Sequence, residues 1–247
     1  MAAGEQLLKL IRRINLGGII GEAIIDFDNS SSQAVDVTNS LFLKVKNEES
    51  LNKIGTVGIG DLALLGKYID TFKDSDIALK KKDNRIIFSS KGHGQLSYLT
   101  TDTDFIATAV NEEDISLLIK PCLIKVELTK EVCSDISTYF SLVKSKSANI
   151  AVNAKTETVS LTGGEKTEHQ FEINIGKFSF IGKKKASFES FSMGIYSDHF
   201  SSVISVLEWT KEEKPSILMA PEHPLIFMQN EENIWALLPV GETTEEE

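Results

Sequence analysis

VLEWTKEEKPSILMAPEHPLIFMQNEENIWALLP, residues 206–239, ends a helical pattern and then runs through three short apolar segments joined by polar turns. Phe200, Val203, Ile204 and Leu207 recur at three- and four-residue steps, the spacing of one buried helix face. Segments 217–219, 225–228 and 234–238 are too short for helices and read as strands. Turns as short as Gln-Asn-Glu-Glu force neighbouring strands into antiparallel pairs, because parallel pairs need long crossovers.

The same order of helix pattern, strand, turn and strand recurs at residues 68–99 and 139–175, and more loosely at 7–45. A repeated order means that one supersecondary unit is reused, here at a period of roughly 55 to 70 residues, longer than solenoid repeats. Helical stripes are Leu7, Leu8, Ile11 and Ile14; Leu62, Leu65, Ile69 and Phe72; Val132, Ile136, Phe140 and Val143; and the Phe200 set. Asp61, Thr129 and Ser197 stand where helix N-caps are wanted. Further strands are expected at 23–27, 41–45, 77–79, 85–88, 96–99, 150–153, 158–161 and 171–175, with Lys-Lys-Asp-Asn, Ala-Lys-Thr-Glu and Gly-Gly-Glu-Lys as turns. The expected class is α+β, sheet-dominated, with two similar domains of two units each: 1–105 and 123–241. Residues 106–122, with an acidic patch at 112–114 followed by Leu117, Leu118, Ile119 and Pro121, form the connector, and 242–247 an acidic tail.

Of the 247 residues, 41% are hydrophobic and 25% charged, ordinary for a soluble globular protein. No stretch of about 18 apolar residues and no leader pattern is present, so the chain is expected to stay inside the cell. A net charge of −10 excludes a protein that coats nucleic acid with its whole surface, but leaves room for a local basic stripe. Cys122 and Cys133 lack the spacing of a zinc site or a disulfide framework and read as packed thiols.

Three constellations imitate catalytic chemistry. Gly58-x-Gly60-x-x-Ala63 before a helix, with Asp83 further on, imitates a dinucleotide fingerprint, but the helix runs into hairpin strands rather than a βαβ unit. Residues 163–167, GGEKT, lack phosphate-loop spacing and read as a hairpin tip. Ser197, Asp198 and His199 are adjacent, and adjacent helical residues point in different directions, so they cannot form a relay. His93, His169 and His223 have no ligand or carboxylate at useful spacing. No catalysis, cofactor or metal is expected.

Basic residues recur on the helical segments: Lys9, Arg12 and Arg13; Lys67 and Lys73; Lys130, Lys144 and Lys146; and Lys211 and Lys214. Solvated helix faces commonly carry such residues. Their place in a four-unit chain changes the weighting, because the order of units resembles the DNA sliding clamps, the group of PCNA and the phage T4-type polymerase clamp. The similarity rests on residues 191–207 as lead-in strand and last helix, on SILMAPEHPLIFM (216–228) as strand, acidic-proline turn and strand, and on IWALLPV (234–240) as the ending. Residues 64–88 give a second match.

That resemblance implies a non-enzymatic processivity factor, a closed ring of three chains whose inner helices surround double-stranded DNA without reading its sequence. It implies Lys9, Arg12, Arg13, Lys67, Lys73, Lys130, Lys144 and Lys146 as hole-facing, while Asp198, Glu208, Glu212 and Glu213 depart from a uniformly basic lining. It also implies an outer pocket for peptide motifs of DNA-processing proteins, from Val35, Leu41, Leu117, Leu118, Ile119, Pro224, Leu237, Leu238 and Pro239. A DNA polymerase and a clamp loader are the implied partners, at sites of DNA replication in a cell or a virus-infected cell. Two alternatives stay open: a clamp-like monomeric or hetero-ring factor, and an enzyme of the hydrolase or nucleotide-binding class.

Overall fold

The computed structural model describes residues 3–47, 53–74, 76–90, 94–107, 117–164, 169–182, 188–210 and 213–240. The acidic patch at 112–114, His93, Lys211, Glu212, half of the Gly-Gly-Glu-Lys turn (Glu165 and Lys166) and the tail at 242–247 lie outside them. The chain divides into two compact units, residues 1–112 and 113–247, and the division falls within the 106–122 stretch.

The first unit opens with α1 (Ala3–Asn15), whose buried stripe is Leu7, Leu8, Leu10, Ile11 and Ile14. Strands β1 (Ala23–Asp26), β2 (Ser31–Val35), β3 (Leu41–Lys46) and β4 (Thr56–Ile59) follow in the order β3-β2-β1-β4, all antiparallel. Next comes α2 (Leu62–Asp70), where Asp61 is the N-cap and its Oδ1 accepts the Leu64 N–H at 2.8 Å. A meander of β5 (Ala78–Lys82), β6 (Arg85–Ser90) and β7 (Gly94–Leu99) completes the unit. The two helices pack together closely: a Cβ on Gly66 would lie 3.6 Å from Ile11 Cγ2. On the sheet side, Tyr68 of α2 meets Phe88 and Tyr98 edge-on at 6.4 and 5.7 Å between ring centroids.

The second unit runs β8 (Ile124–Glu127), α3 (Lys130–Val143), β9 (Ser147–Asn153), β10 (Thr158–Gly163), β11 (Phe171–Phe180), β12 (Phe191–Tyr196), α4 (Ser197–Val206), β13 (Ser216–Met219), β14 (Leu225–Asn230) and β15 (Asn233–Leu237). Its sheet order is β12-β9-β10-β11-β8-β13-β14-β15. From α1 to β7 and from α3 to β15 the elements correspond one for one: a helix, four strands ordered third-second-first-fourth, a helix, and a three-stranded meander. The duplication is therefore real, but each domain contains one four-strand and one three-strand unit rather than two equal hairpins.

Strands β2, β4 and β8 have no counterpart in the sequence reading. In β2 the inward Ser32 is buried and donates its hydroxyl to Ile24 O at 2.7 Å, so a polar residue occupies a position where an apolar one would have signalled a strand. In β4 and just after it, the glycines that imitate a nucleotide fingerprint, Gly58 and Gly60, have another purpose. A Cβ on Gly58 would lie 2.5 Å from Thr101 O, and one on Gly60 would collide with the Thr101 hydroxyl, while Thr101 N–H donates to Gly58 O at 2.9 Å. They let a neighbouring chain segment approach, and β4 pairs antiparallel with β1, which is not βαβ geometry. Ser197 is the first residue of α4 rather than its cap; Tyr196 precedes it without a side-chain cap bond. Thr129 does cap α3, accepting the Val132 N–H at 3.2 Å.

Strand β11 is twice the expected length. It pairs with β10 through Lys177 and with β8 from Phe178, and the ladder slips one residue where Gly176, at φ +147°, lies opposite Val159. A bulge of this kind bends a strand so that it can serve two partners. Cys122 and Cys133 are buried, and burial pushes their thiols up to about 11 and about 12, which fits packed, unreactive side chains.

Candidate functional site

The candidate DNA-facing cations divide by burial. On α1, Arg12 is exposed and Lys9 half-buried, whereas Arg13 is only 5% exposed. Arg13 cannot present its charge to DNA from that position, a correction with a simple cause. It follows Arg12 by about 100° of helical turn and so falls on the stripe that packs into the unit. On α2, Lys67 is exposed; Lys73, one turn beyond, is exposed and pairs with Asp70 at 3.6 Å.

In the second unit Lys130, Lys144 and Lys146 are all exposed, at the two ends of α3 and in the turn after it. Lys144 closes the helix in the left-handed conformation (φ 54°), donating its N–H to Phe140 O at 2.9 Å. Between these ends the exposed face of α3 is hydroxylated rather than basic. Thr138 donates to Ser134 O at 2.9 Å and Ser141 to Thr138 O at 2.7 Å, so these hydroxyl protons are already used within the helix. On α4, Asp198 is exposed. Beyond it Glu213 accepts from Asn230, and Lys214 pairs with Glu127 at 3.5 Å. In α3, then, positive charge sits at the helix ends, whereas in the first unit Lys9, Arg12 and Lys67 lie within α1 and α2.

The residues expected to form a partner pocket also divide. Val35, Leu41, Pro224 and Leu237 are buried inside their own units, Leu41 and Leu237 almost completely, and offer no surface to a peptide. Leu117 is 65% exposed, and Leu118, Ile119, Leu238 and Pro239 are half-buried. Sequence reasoning missed a cavity of about 750 Å³ in the second unit, whose lining includes Asn149, Thr162, Gly194, His223, Pro239 and Val240. Only Pro239 was expected there. Gly194 carried the usable signal, because a glycine inside an apolar strand marks close backbone approach; Val240 N–H donates to Gly194 O at 2.9 Å.

In the first unit the β2–β3 turn is held by one carboxylate. Asp36, only 4% exposed, accepts the N–H groups of Ser40 at 2.6 Å, Leu41 at 2.7 Å and Thr38 at 3.1 Å, and the hydroxyls of Thr38 and Ser40. Burial alone would raise its pKa, but this set of donors outweighs burial and holds it below the ordinary aspartate value. The stiffened turn presents Val37, 82% exposed. Among the described residues no group of His, Cys, Asp and Glu is arranged to hold a metal, and no helix is long and apolar enough to cross a membrane.

No protein-family model matches the chain, and no curated protein matches its sequence. Solved structures do match in fold. The proliferating cellular nuclear antigen of Entamoeba histolytica superposes with a TM-score of 0.67 at 14% identity, covering 96% of each chain. The PCNA2–PCNA3 complex of Sulfolobus tokodaii gives 0.67 at 12% identity and 97% of each chain. The DNA polymerase III β subunit of Pseudomonas aeruginosa gives 0.69 at 9% identity, over 96% of this chain and 65% of that one. At these identities the likeness establishes architecture, and the chain has the DNA sliding-clamp fold.

Proposed function

We propose that the chain is a sliding clamp: it assembles into a ring around duplex DNA and tethers a DNA polymerase and other DNA-processing proteins to the template. One observation carries this reading, the duplicated plan of two helices on antiparallel sheets that matches a PCNA over 96% of both chains. A ring held by closure needs only weak phosphate contacts, which suits a chain of net charge −10 with a few exposed cations on its helices and at their ends. Homotrimeric assembly is part of the proposal. A hetero-ring is the second reading, favoured by the fold match to a complex of two different PCNA chains.

Topology tests the proposal without a loader. Rings should thread onto a linear duplex from its ends and stay on through a high-salt wash only if both ends are then blocked with a bulky protein. Equal loss from blocked and open DNA would refute encirclement. Lys9→Ala/Arg12→Ala/Lys67→Ala should lower the threaded yield severalfold while the fold is kept, since substitutions at the exposed Arg12 and Lys67 cost under about 0.5 kcal/mol each and Lys9 is only half-buried.

The peptide site is proposed at the accessible remainder of the expected pocket, Leu117, Leu118, Ile119, Leu238 and Pro239. Leu118→Glu/Leu238→Glu should abolish stimulation of the partner polymerase while assembly mass is unchanged. Buried aromatic anchors contribute about 1.5–3 kcal/mol each before ordering costs, so a short peptide should bind in the micromolar range. Normal stimulation by the double variant would place the site elsewhere.

A further inference from the structure

The outer face of the β5-β6-β7 sheet carries a cationic cluster that encirclement does not use. Side chains alternate across a strand, so Ile86, Phe88 and Tyr98 point to the buried side, where Phe88 and Tyr98 meet Tyr68 of α2. The same alternation sends Lys80, Lys82 and Arg85 to the opposite side, away from α2. Lys82 lies directly across the ladder from Arg85, and Lys80 is two residues back on the same face. All three are exposed, and among the described residues none forms an ion pair. Arg85 also reaches Ser97 Oγ of β7 at 3.4 Å.

Edge lysines commonly protect a sheet from aggregation, and that accounts for Lys80 on the edge strand β5. It does not account for Arg85, which is on the central strand β6. Setting Arg85 opposite Lys82 places like charges across a cross-strand pair, an arrangement that destabilises a hairpin. Lys81 avoids the cluster: it turns to the other face and its Nζ donates to Thr56 O at 3.3 Å. Three cations against the one carboxylate of the turn, Asp83, leave this end of the hairpin net positive on a chain of net charge −10, and such a patch attracts polyanions.

The geometry points to a second DNA contact, in which Lys80, Lys82 and Arg85 on the outer face of the β5–β6 hairpin bind the phosphate backbone of a DNA strand that is not encircled. The guanidinium fork of Arg85 and the two ammonium groups match phosphate oxygens, and none of the three reads a base from a flat sheet. Binding is therefore weak, independent of sequence and steeply dependent on salt. It needs no ring and no free DNA end.

Fluorescence anisotropy of the full chain with short labelled single-stranded and blunt duplex oligonucleotides at low salt tests this. Lys80→Ser/Lys82→Ser/Arg85→Ser should weaken binding about tenfold and flatten the slope of log affinity against log salt by about 2 to 3. The exposed Lys155→Ser, outside both proposed contacts, should bind the same oligonucleotides as wild type does, and Lys9→Ala/Arg12→Ala/Lys67→Ala should lose less than the hairpin variant, so this result stands apart from the threading assay. If the triple serine variant melts early, Lys80→Gln/Lys82→Gln with Arg85 kept should still lose severalfold. Unchanged binding by the hairpin variants overturns the assignment, as does loss confined to the helix variant. Binding to phosphatidylserine vesicles without binding to either oligonucleotide overturns it too, by showing a different polyanion.

Discussion

Phe200→Ala is expected to destabilise the second unit by about 3–5 kcal/mol, the range for truncating a fully buried aromatic side chain. Phe200 has no exposed surface and joins three elements: its ring meets Phe140 of α3 edge-on at 6.0 Å and Phe227 of β14 at 5.0 Å. Aromatic pairs of this geometry contribute about 0.5–1.5 kcal/mol beyond area burial, and both are lost together. The cavity would open between the helix pair and the sheet, which is the packing that defines the unit. Urea denaturation should show a lower midpoint with an unchanged slope for the transition that contains the second unit. A loss below about 1 kcal/mol would mean that α4 does not hold α3 onto the sheet.

Asp36→Ala should cost the first unit about 2–4 kcal/mol, because three backbone N–H groups and two hydroxyls lose a buried anionic acceptor at once. The effect has a pH signature. Because folding lowers the pKa of Asp36, its stabilisation is present in full above the unfolded value of about 3.9 and is lost as pH falls through the lower folded value. The stability gap between wild type and Asp36→Ala should therefore be constant from neutrality down to about pH 4 and close below it. A gap that narrows above that range, or no gap at all, would show that the carboxylate does not hold the turn.

The helices were legible because each carries a stripe at helical spacing, and two of the three expected caps, Asp61 and Thr129, bond as their positions imply. Most strands with apolar inward residues were legible for the same reason, although β8 was missed with Ile124 and Val126 inward, because four residues give only two steps of alternation. The other two failed on particular residues: Ser32 fills a core position through a hydrogen bond to Ile24 O, and Gly58 and Gly60 answer to Thr101, which is about 40 residues away and invisible to local pattern. At the candidate sites composition could not separate neighbours. Arg12 and Arg13 are identical as charges and differ only in which side of α1 they occupy. Leu41 and Leu238 are equally apolar, yet the first is core and the second half-exposed. The cavity beside Gly194 is lined largely by small and polar side chains, which leave no hydrophobic signal in a sequence.

Light scattering across a concentration series tests the ring most directly. A closed trimer of the 27.3 kDa chain should give about 82 kDa from low micromolar concentration upward, without larger species, because closed symmetry stops growth. A mass that stays at one chain as concentration rises, or one that climbs without a plateau, would contradict it.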